Sequence, residues 1–329
     1  LFLFALATVY AVTGTLNMAD LAVKIAALPE GGAALIRVAA VLMLSVFAIK
    51  GALVPLQFWL PGTYANAPGP VAALFAIMTK VGAYAILRTS TLFFPPETAA
   101  IGTMVADLML PAALVTLALG AIGTLGAATL PRLAAFAGIA SMGTLFTALA
   151  AFTPQATAAA LYYLIHSTLA TAAIFLIADL ITTRRTNGNL TAQPRIAQQG
   201  PLAALFFAIA IALAGMPPLS GFVGKLLILD ALRPQAALIW SVILVTSFLM
   251  ILGFARAGAT LFWKSHATGD EADPAPPRIG TFIATAGLIA SLVALTVLAG
   301  PVTDWLATAA EALHAPQAYI DANRLPGEN

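Results

Sequence analysis

Phe47 to Arg88 reads FAIKGALVPLQFWLPGTYANAPGPVAALFAIMTKVGAYAILR, an almost wholly apolar stretch that carries Lys50 and Lys80 and is interrupted by Pro55, Pro61, Pro68 and Pro70. The run from Val71 to Leu87 does not alternate apolar with polar residues, so a helix and not a barrel strand is predicted. Crossing a hydrocarbon core of about 30 Å takes about 20 helical residues, which such runs supply. Pro55 has no N–H to give the carbonyl of Gly51, one residue past Lys50, so the helix breaks beside a charge. Non-helical backbone at membrane depth persists only where it is buried in protein or lines a hydrated cavity, and the break is expected to face an interior.

The pattern repeats outward from this stretch. Of 329 residues, 61% are hydrophobic and 9% charged, against roughly 25% charged in a soluble domain. The fold class is all-α: a polytopic transmembrane bundle of about nine spans, near 1–19, 34–60, 68–94, 104–126, 130–152, 155–182, 201–232, 235–263 and 279–303. Residues 1–303 form the transmembrane domain and 304–329 a short polar tail, amphipathic or frayed. The second broken span holds AGMPPLSGFVGK, where Pro217 and Pro218 precede Lys225 and free the carbonyls of Leu213 and Ala214. The two broken spans lie five segments apart, as in an inverted repeat of five-helix units with a site near the midplane. The chain opens at Leu1 inside an apolar run with no basic flank or cleavage site, and is read as the C-terminal part of a longer protein.

Charge sets orientation and excludes several functions. Arg132, Arg184, Arg185, Arg195, Arg256, Lys264 and Arg278 fall in loops of one side; Lys24, Arg37, Arg88, Arg233 and Arg324 fall on the other. The first side is predicted cytoplasmic and the C-terminus outer. A net charge of +2 leaves no nucleic-acid footprint. Cysteine is absent, which removes disulfides and iron–sulfur ligation from this chain, and no glycine-rich phosphate loop or GxSxG element occurs. No cofactor or metal is expected: His266 and His314 show no metal-ligand spacing, and Asp270, Glu271 and Asp273 read as a solvated connector.

The charges that remain inside spans carry the chemistry. Lys50, Lys80 and Lys225 each cost about 2.5 to 3.5 kcal/mol at the bilayer centre unless partners offset it. Snorkelling to the headgroups is the alternative use, but each lysine is placed near the middle of its segment. Lysine between a dry pocket and a movable acid changes protonation; arginine does not. His166, in YYLIHSTLATAAIF with Tyr162, Ser167, Thr168 and Thr171 close by, suits proton transfer. A neutral histidine bonded to a backbone carbonyl is the equal alternative. Ser141 and these hydroxyls could hold linking waters, though such residues also serve packing. Asp107 and Asp179 read as interfacial, and Arg37, Asp230 and Arg233 as loop or headgroup residues.

These motifs resemble the antiporter-like membrane subunits shared by Mrp-type multi-subunit cation/proton antiporters and by proton-pumping complex I. The likeness spans nearly the whole chain, carried by Phe47–Arg88, by PRLAAFAGIASMGTL from Pro131, and by GMPPLSGFVGKLLILDAL from Gly215. Lysine at 225, followed by LLILDA, with ARAGATLFWK from Ala255 to Lys264, resembles the D-type subunit of the antiporters; the complex I relative often has glutamate at that position. The resemblance implies a secondary ion transporter and not an enzyme, in a bacterial plasma membrane, with other membrane subunits, lipid, protons and Na⁺ or K⁺ as partners. It also implies a relay of Lys50, Lys80, His166 and Lys225, with Lys50 paired to a glutamate on a helix before Leu1. The family often has lysine four residues after the histidine, where this chain has Ala170, so His166, hydroxyls and water would carry that step. The competing readings are a proton-pumping module of a redox enzyme and a scaffold whose lysines are structural.

Overall fold

The computed structural model describes residues 1–29, 33–185, 187–265 and 278–324. The expectations for His266 and for Asp270, Glu271 and Asp273 fall outside the described residues. Those described form helices α1 (Phe2–Thr13), α2 (Met18–Ala26), α3 (Ala34–Gly51), α4 (Trp59–Asn66), α5 (Gly69–Leu92), α6 (Met104–Gly126) and α7 (Leu130–Leu149). They continue with α8 (Pro154–Thr182), α9 (Gln199–Ala214), α10 (Ser220–Ala231), α11 (Ala236–Gly258), α12 (Ile279–Val297), α13 (Ala299–His314) and α14 (Gln317–Asn323). One isolated antiparallel bridge, Thr129 with Asn189, ties the loop after α8 to the turn before α7.

Seven helices among the described residues are long and apolar enough to cross a membrane, or eight if the bent pair α1–α2 counts as one span. The sequence leads one to expect nine, and local chemistry explains the difference. Gly14, left-handed at φ 72°, ends α1, and the Asn17 side chain accepts the N–H groups of Ala19 and Asp20 to start α2 on an axis 59° away. The expected span 201–232 divides into α9 and α10, of 16 and 12 residues. At 1.5 Å per residue these reach roughly 24 and 18 Å, so neither crosses alone. The expected span 34–60 likewise stops at Gly51, and α12 runs through Leu298 directly into α13.

The centre of the bundle is α7, 89% of whose apolar stretch is buried, against 17% for α12 at the rim. Thr129 and Thr153 cap α7 and α8 with their side-chain oxygens, each followed closely by proline in the first turn. α6 and α7 pack with their backbones nearly touching: a Cβ at Gly120 would strike Ala140, and one at Gly143 would strike Leu117. Thr116, Thr124, Thr144 and Thr147 are buried along this seam; Thr124, Thr144 and Thr147 return their hydroxyls to carbonyls one turn back, which satisfies them where water is absent.

Candidate functional site

Two interruptions, built alike, carry the lysines that flank them. α3 closes with Ala52 at φ 55°, a left-handed conformation unusual outside glycine. The Leu53 N–H returns to the Ala48 carbonyl, and the Val54 N–H crosses to Thr116 Oγ1 at 2.9 Å. The indole N–H of Trp59 donates to the Ile49 carbonyl at 2.9 Å. At the second interruption α9 closes on left-handed Gly215, whose N–H returns to the Ile211 carbonyl, and α10 restarts at Ser220. The turns are buried at Ala52, Leu53, Ala214, Leu219 and Ser220, whereas Pro55, Pro217 and Pro218 themselves lie on the outside of the chain. The breaks therefore do not wholly face inward, as expected; their backbone does and their proline rings do not.

Lys225 is 6% exposed and held on two sides. Its ammonium donates to the Ala214 carbonyl at 2.9 Å and to Ser247 Oγ on α11 at 2.8 Å. The Ala214 carbonyl is one of those that proline leaves without a helical donor, so the lysine supplies the missing hydrogen bond. His166 is fully buried on α8, with Nδ1 2.9 Å from Ser220 Oγ at the first residue of α10. Its Nε2 lies near the Ala212 carbonyl but at a geometry that makes no hydrogen bond. Gly221 permits this approach, since a Cβ there would collide with the Ala212 carbonyl and the imidazole. Tyr163 stacks obliquely on the imidazole, centroids 5.5 Å apart, and its hydroxyl pairs with Ser141 Oγ at 3.3 Å.

Lys80, 4% exposed on α5, lines a groove of about 480 Å³ between α5 and α8 with Ile77, Val81, Tyr84, Leu164 and Thr168. No hydrogen bond to its ammonium is found among the described residues. Leu164, Ile165 and Thr168, which flank His166 on α8, line the groove with Lys80, and Ser220 joins His166 to the helix of Lys225, so α5, α8 and α10 bring three of the four expected residues into one region. Lys50 stands apart and corrects the expectation of a mid-span position. It sits in the last turn of α3, exposed, because the helix ends at Gly51 and not near residue 60. It lines a second groove of about 420 Å³ with Phe2, Trp59, Val81 and Gly82, and Val81 forms a wall common to both grooves.

Several hydroxyls expected near His166 are engaged by backbone carbonyls instead. Ser167 and Thr168 donate to the Leu164 carbonyl, and Tyr162 donates to the Leu295 carbonyl of α12 at 2.9 Å. Thr171 Oγ1 is buried without a partner among the described residues. Asp179, read as interfacial, is tied to Arg278 at the start of α12 with an N–O distance of 2.5 Å, with Arg184 beside the pair. Ser220, Ser247 and Thr116 escape the sequence reading. Nothing in sequence distinguishes a serine that meets an ionisable partner across helices from one bonded to its own turn.

Residues 1–252 match the family model described as NADH:quinone oxidoreductase/Mrp antiporter, TM. The chain belongs to this family. Among relatives of this antiporter-family chain, the D-type subunit of the Na(+)/H(+) antiporter of Bacillus subtilis (strain 168) is 37% identical over 329 residues, 98% of this chain and 64% of the relative. The D-type subunit of a probable K(+)/H(+) antiporter of Rhizobium meliloti (strain 1021) is 31% identical over 355 residues, 98% of this chain and 65% of the relative. A chain of the Mrp complex from Dietzia sp. DQ12-45-1b superposes with a TM-score of 0.83 at 26% identity, covering 98% of this chain and 66% of that one. The chain thus spans a little under two thirds of the curated relatives' length. Family membership and the helical bundle agree with the reading of Phe47–Arg88: this is a multi-pass membrane protein of the antiporter family.

Proposed function

We propose that this chain is the proton-translocating part of the D-type subunit in a multi-subunit monovalent cation/proton antiporter of a bacterial plasma membrane, working with other membrane subunits. The observation that carries the reading is Lys225, a buried ammonium held by the Ala214 carbonyl at a helix break and by Ser247, on the helix whose Ser220 meets His166. A cation held by two acceptors, with one N–H left over, can pass a proton to a neighbour and regain it. Protons would move between Lys80, His166 and Lys225 and on to Lys50 along the α5 side, and exchange against Na⁺ or K⁺ moved by the assembled complex. The outer face is assigned to the C-terminal end on the distribution of lysines and arginines between the loops.

The second reading is a proton-pumping subunit of a complex I-like oxidoreductase, since the family description covers both classes. The seat of residue 225 supports the antiporter: it offers a carbonyl and a hydroxyl, and the carbonyl would meet a glutamate's oxygens as acceptor against acceptor. The test is ion-driven dissipation of a proton gradient in vesicles containing the whole complex. Addition of Na⁺ or K⁺ should discharge the gradient without any electron donor. A gradient unaffected by either cation would remove the antiporter reading, and copurification with cofactor-bearing subunits would favour the second.

A further inference from the structure

We propose that Ser247 is a positioning residue for proton exchange at Lys225, an inference that rests on the proposed relay and deepens it. Lys225 has three N–H donors in its charged form, and two are engaged by the Ala214 carbonyl and Ser247 Oγ. These acceptors differ in kind. A carbonyl accepts only, whereas a hydroxyl accepts from an ammonium and, after rotation, donates to the lone pair of a neutral amine. When the third N–H passes its proton on, rotation about Cε–Nζ keeps one amine N–H on the Ala214 carbonyl and turns the lone pair toward Ser247, whose hydroxyl donates a hydrogen bond to it. Both charge states of the lysine then keep a hydrogen bond to Ala214 and one to Ser247 with no heavy atom displaced. The step balances, since Lys225–NH₃⁺ gives one proton to a neighbouring base or water and becomes Lys225–NH₂, while the serine keeps its own hydrogen.

The surroundings leave this task to Ser247. Among the described residues, the helices packed on α10 bring few titratable or charged groups toward Lys225. α8 brings His166, Tyr162 and Tyr163; α9 and α12 carry no Asp, Glu, Lys or Arg within their limits; α7 has Arg132 in its first turn. α11 has Arg256 nine residues beyond Ser247, which donates to the Ala127 carbonyl, and on α10 itself Asp230 pairs with Arg233. Among the described residues no carboxylate accepts from the ammonium, which leaves the serine as the polar side chain that does. The neighbouring Thr246 is spent within α11, on the Val242 carbonyl at 2.6 Å.

The test uses the complete complex in vesicles, with exchange driven by NaCl and by KCl across pH 6 to 9.5. Ser247→Ala removes a charge-assisted bond from the ammonium and a weaker one from the amine, so the pH profile of exchange should move toward acid by about half a unit to one unit, with assembly kept. The pair Ser247→Thr and Ser247→Val separates hydroxyl from shape: Thr should retain the wild-type profile and Val should follow Ala. If Ala fails to assemble, the Thr and Val pair decides. Coincident profiles for Thr and Val, or a wild-type profile in Ala, overturn the positioning role. Lys225→Ala is the control for the underlying reading: if it abolishes exchange while the serine variants stay wild type, this inference falls alone, and if it exchanges normally both fall.

Discussion

At Lys225 the seat is made of lone pairs, and this fixes what can replace the lysine. Lys225→Glu in the full complex should lose cation-driven proton exchange at least tenfold, since a carboxylate would meet the Ala214 carbonyl acceptor to acceptor. Retained exchange in that variant would show that the carbonyl-and-hydroxyl seat does not dictate the residue at 225. Gly221→Ala should destabilise the α9–α10 junction by about 1 to 3 kcal/mol, because a methyl group there meets both the Ala212 carbonyl and the His166 ring. Thermal unfolding of the purified complex, with Gly224→Ala as a comparison, measures it. Residue types are legible here in a way that partners are not. Lys80, His166 and Lys225 stand out as polar groups in apolar runs, and Ala214 follows from the proline rule. Ser220 and Ser247 do not, because their meetings with His166 and Lys225 span 54 and 22 residues and depend on how α8, α10 and α11 pack.

Between elements, the ties at the bundle's ends are the least visible in sequence. Asp179 joins α8 to Arg278 at α12 across 99 residues, and no local pattern announces such a pair. Asp179→Asn should loosen the start of α12 and cost about 1 kcal/mol, a figure reduced because Arg278 is 39% exposed. Faster hydrogen exchange at the first α12 amides would report it. At the other end of α8, His314 on α13 meets Thr157 at 2.8 Å. Burial lowers its pKa below the ordinary 6.5, with Glu97 opposing in part. A folded state that resists protonation keeps this contact's full contribution above about pH 6.5 and loses stability as pH falls through the window below it. Protection factors of the α13 amides, taken relative to the base-catalysed intrinsic rate at each pH, should therefore be lower at pH 5.5 than at 7.5, and His314→Gln should flatten the difference. The breaks themselves are legible, since a missing proline N–H is a local fact; the bend after α1 is not, because Gly14 and Asn17 read as ordinary residues in an apolar run.

At the scale of the molecule, Lys50 reverses the expectation drawn from span length. Its run reads as continuous to residue 60, and the left-handed exit at Ala52 moves the lysine from mid-span to a helix end, exposed beside the groove it shares with Trp59 and Val81. Phe2, Ile49 and Val81 are exposed in that groove, and Leu3, Phe4, Leu74, Ile77 and Tyr84 are exposed elsewhere on α1 and α5, apolar surface that suits burial in lipid or beneath another helix. In the full complex, Lys50→Ala should abolish exchange while assembly survives, and Lys50→Arg should fail as well, because guanidinium keeps its proton. Exchange rates measured beside blue-native gels of the assembled complex decide it, and wild-type flux in either variant removes Lys50 from the path.

The contact between Lys225 and Ala214 couples two positions seven residues apart in the chain, 218 and 225. A residue with an N–H at 218 would compete for the carbonyl that now receives the ammonium, so Pro218→Ala and Lys225→Met should not be independent. Their double-mutant cycle in the assembled complex should show the second change costing less in the background of the first. Rigidity of the kink and mobility of the proton would then be a single property of the chain, lost or kept together.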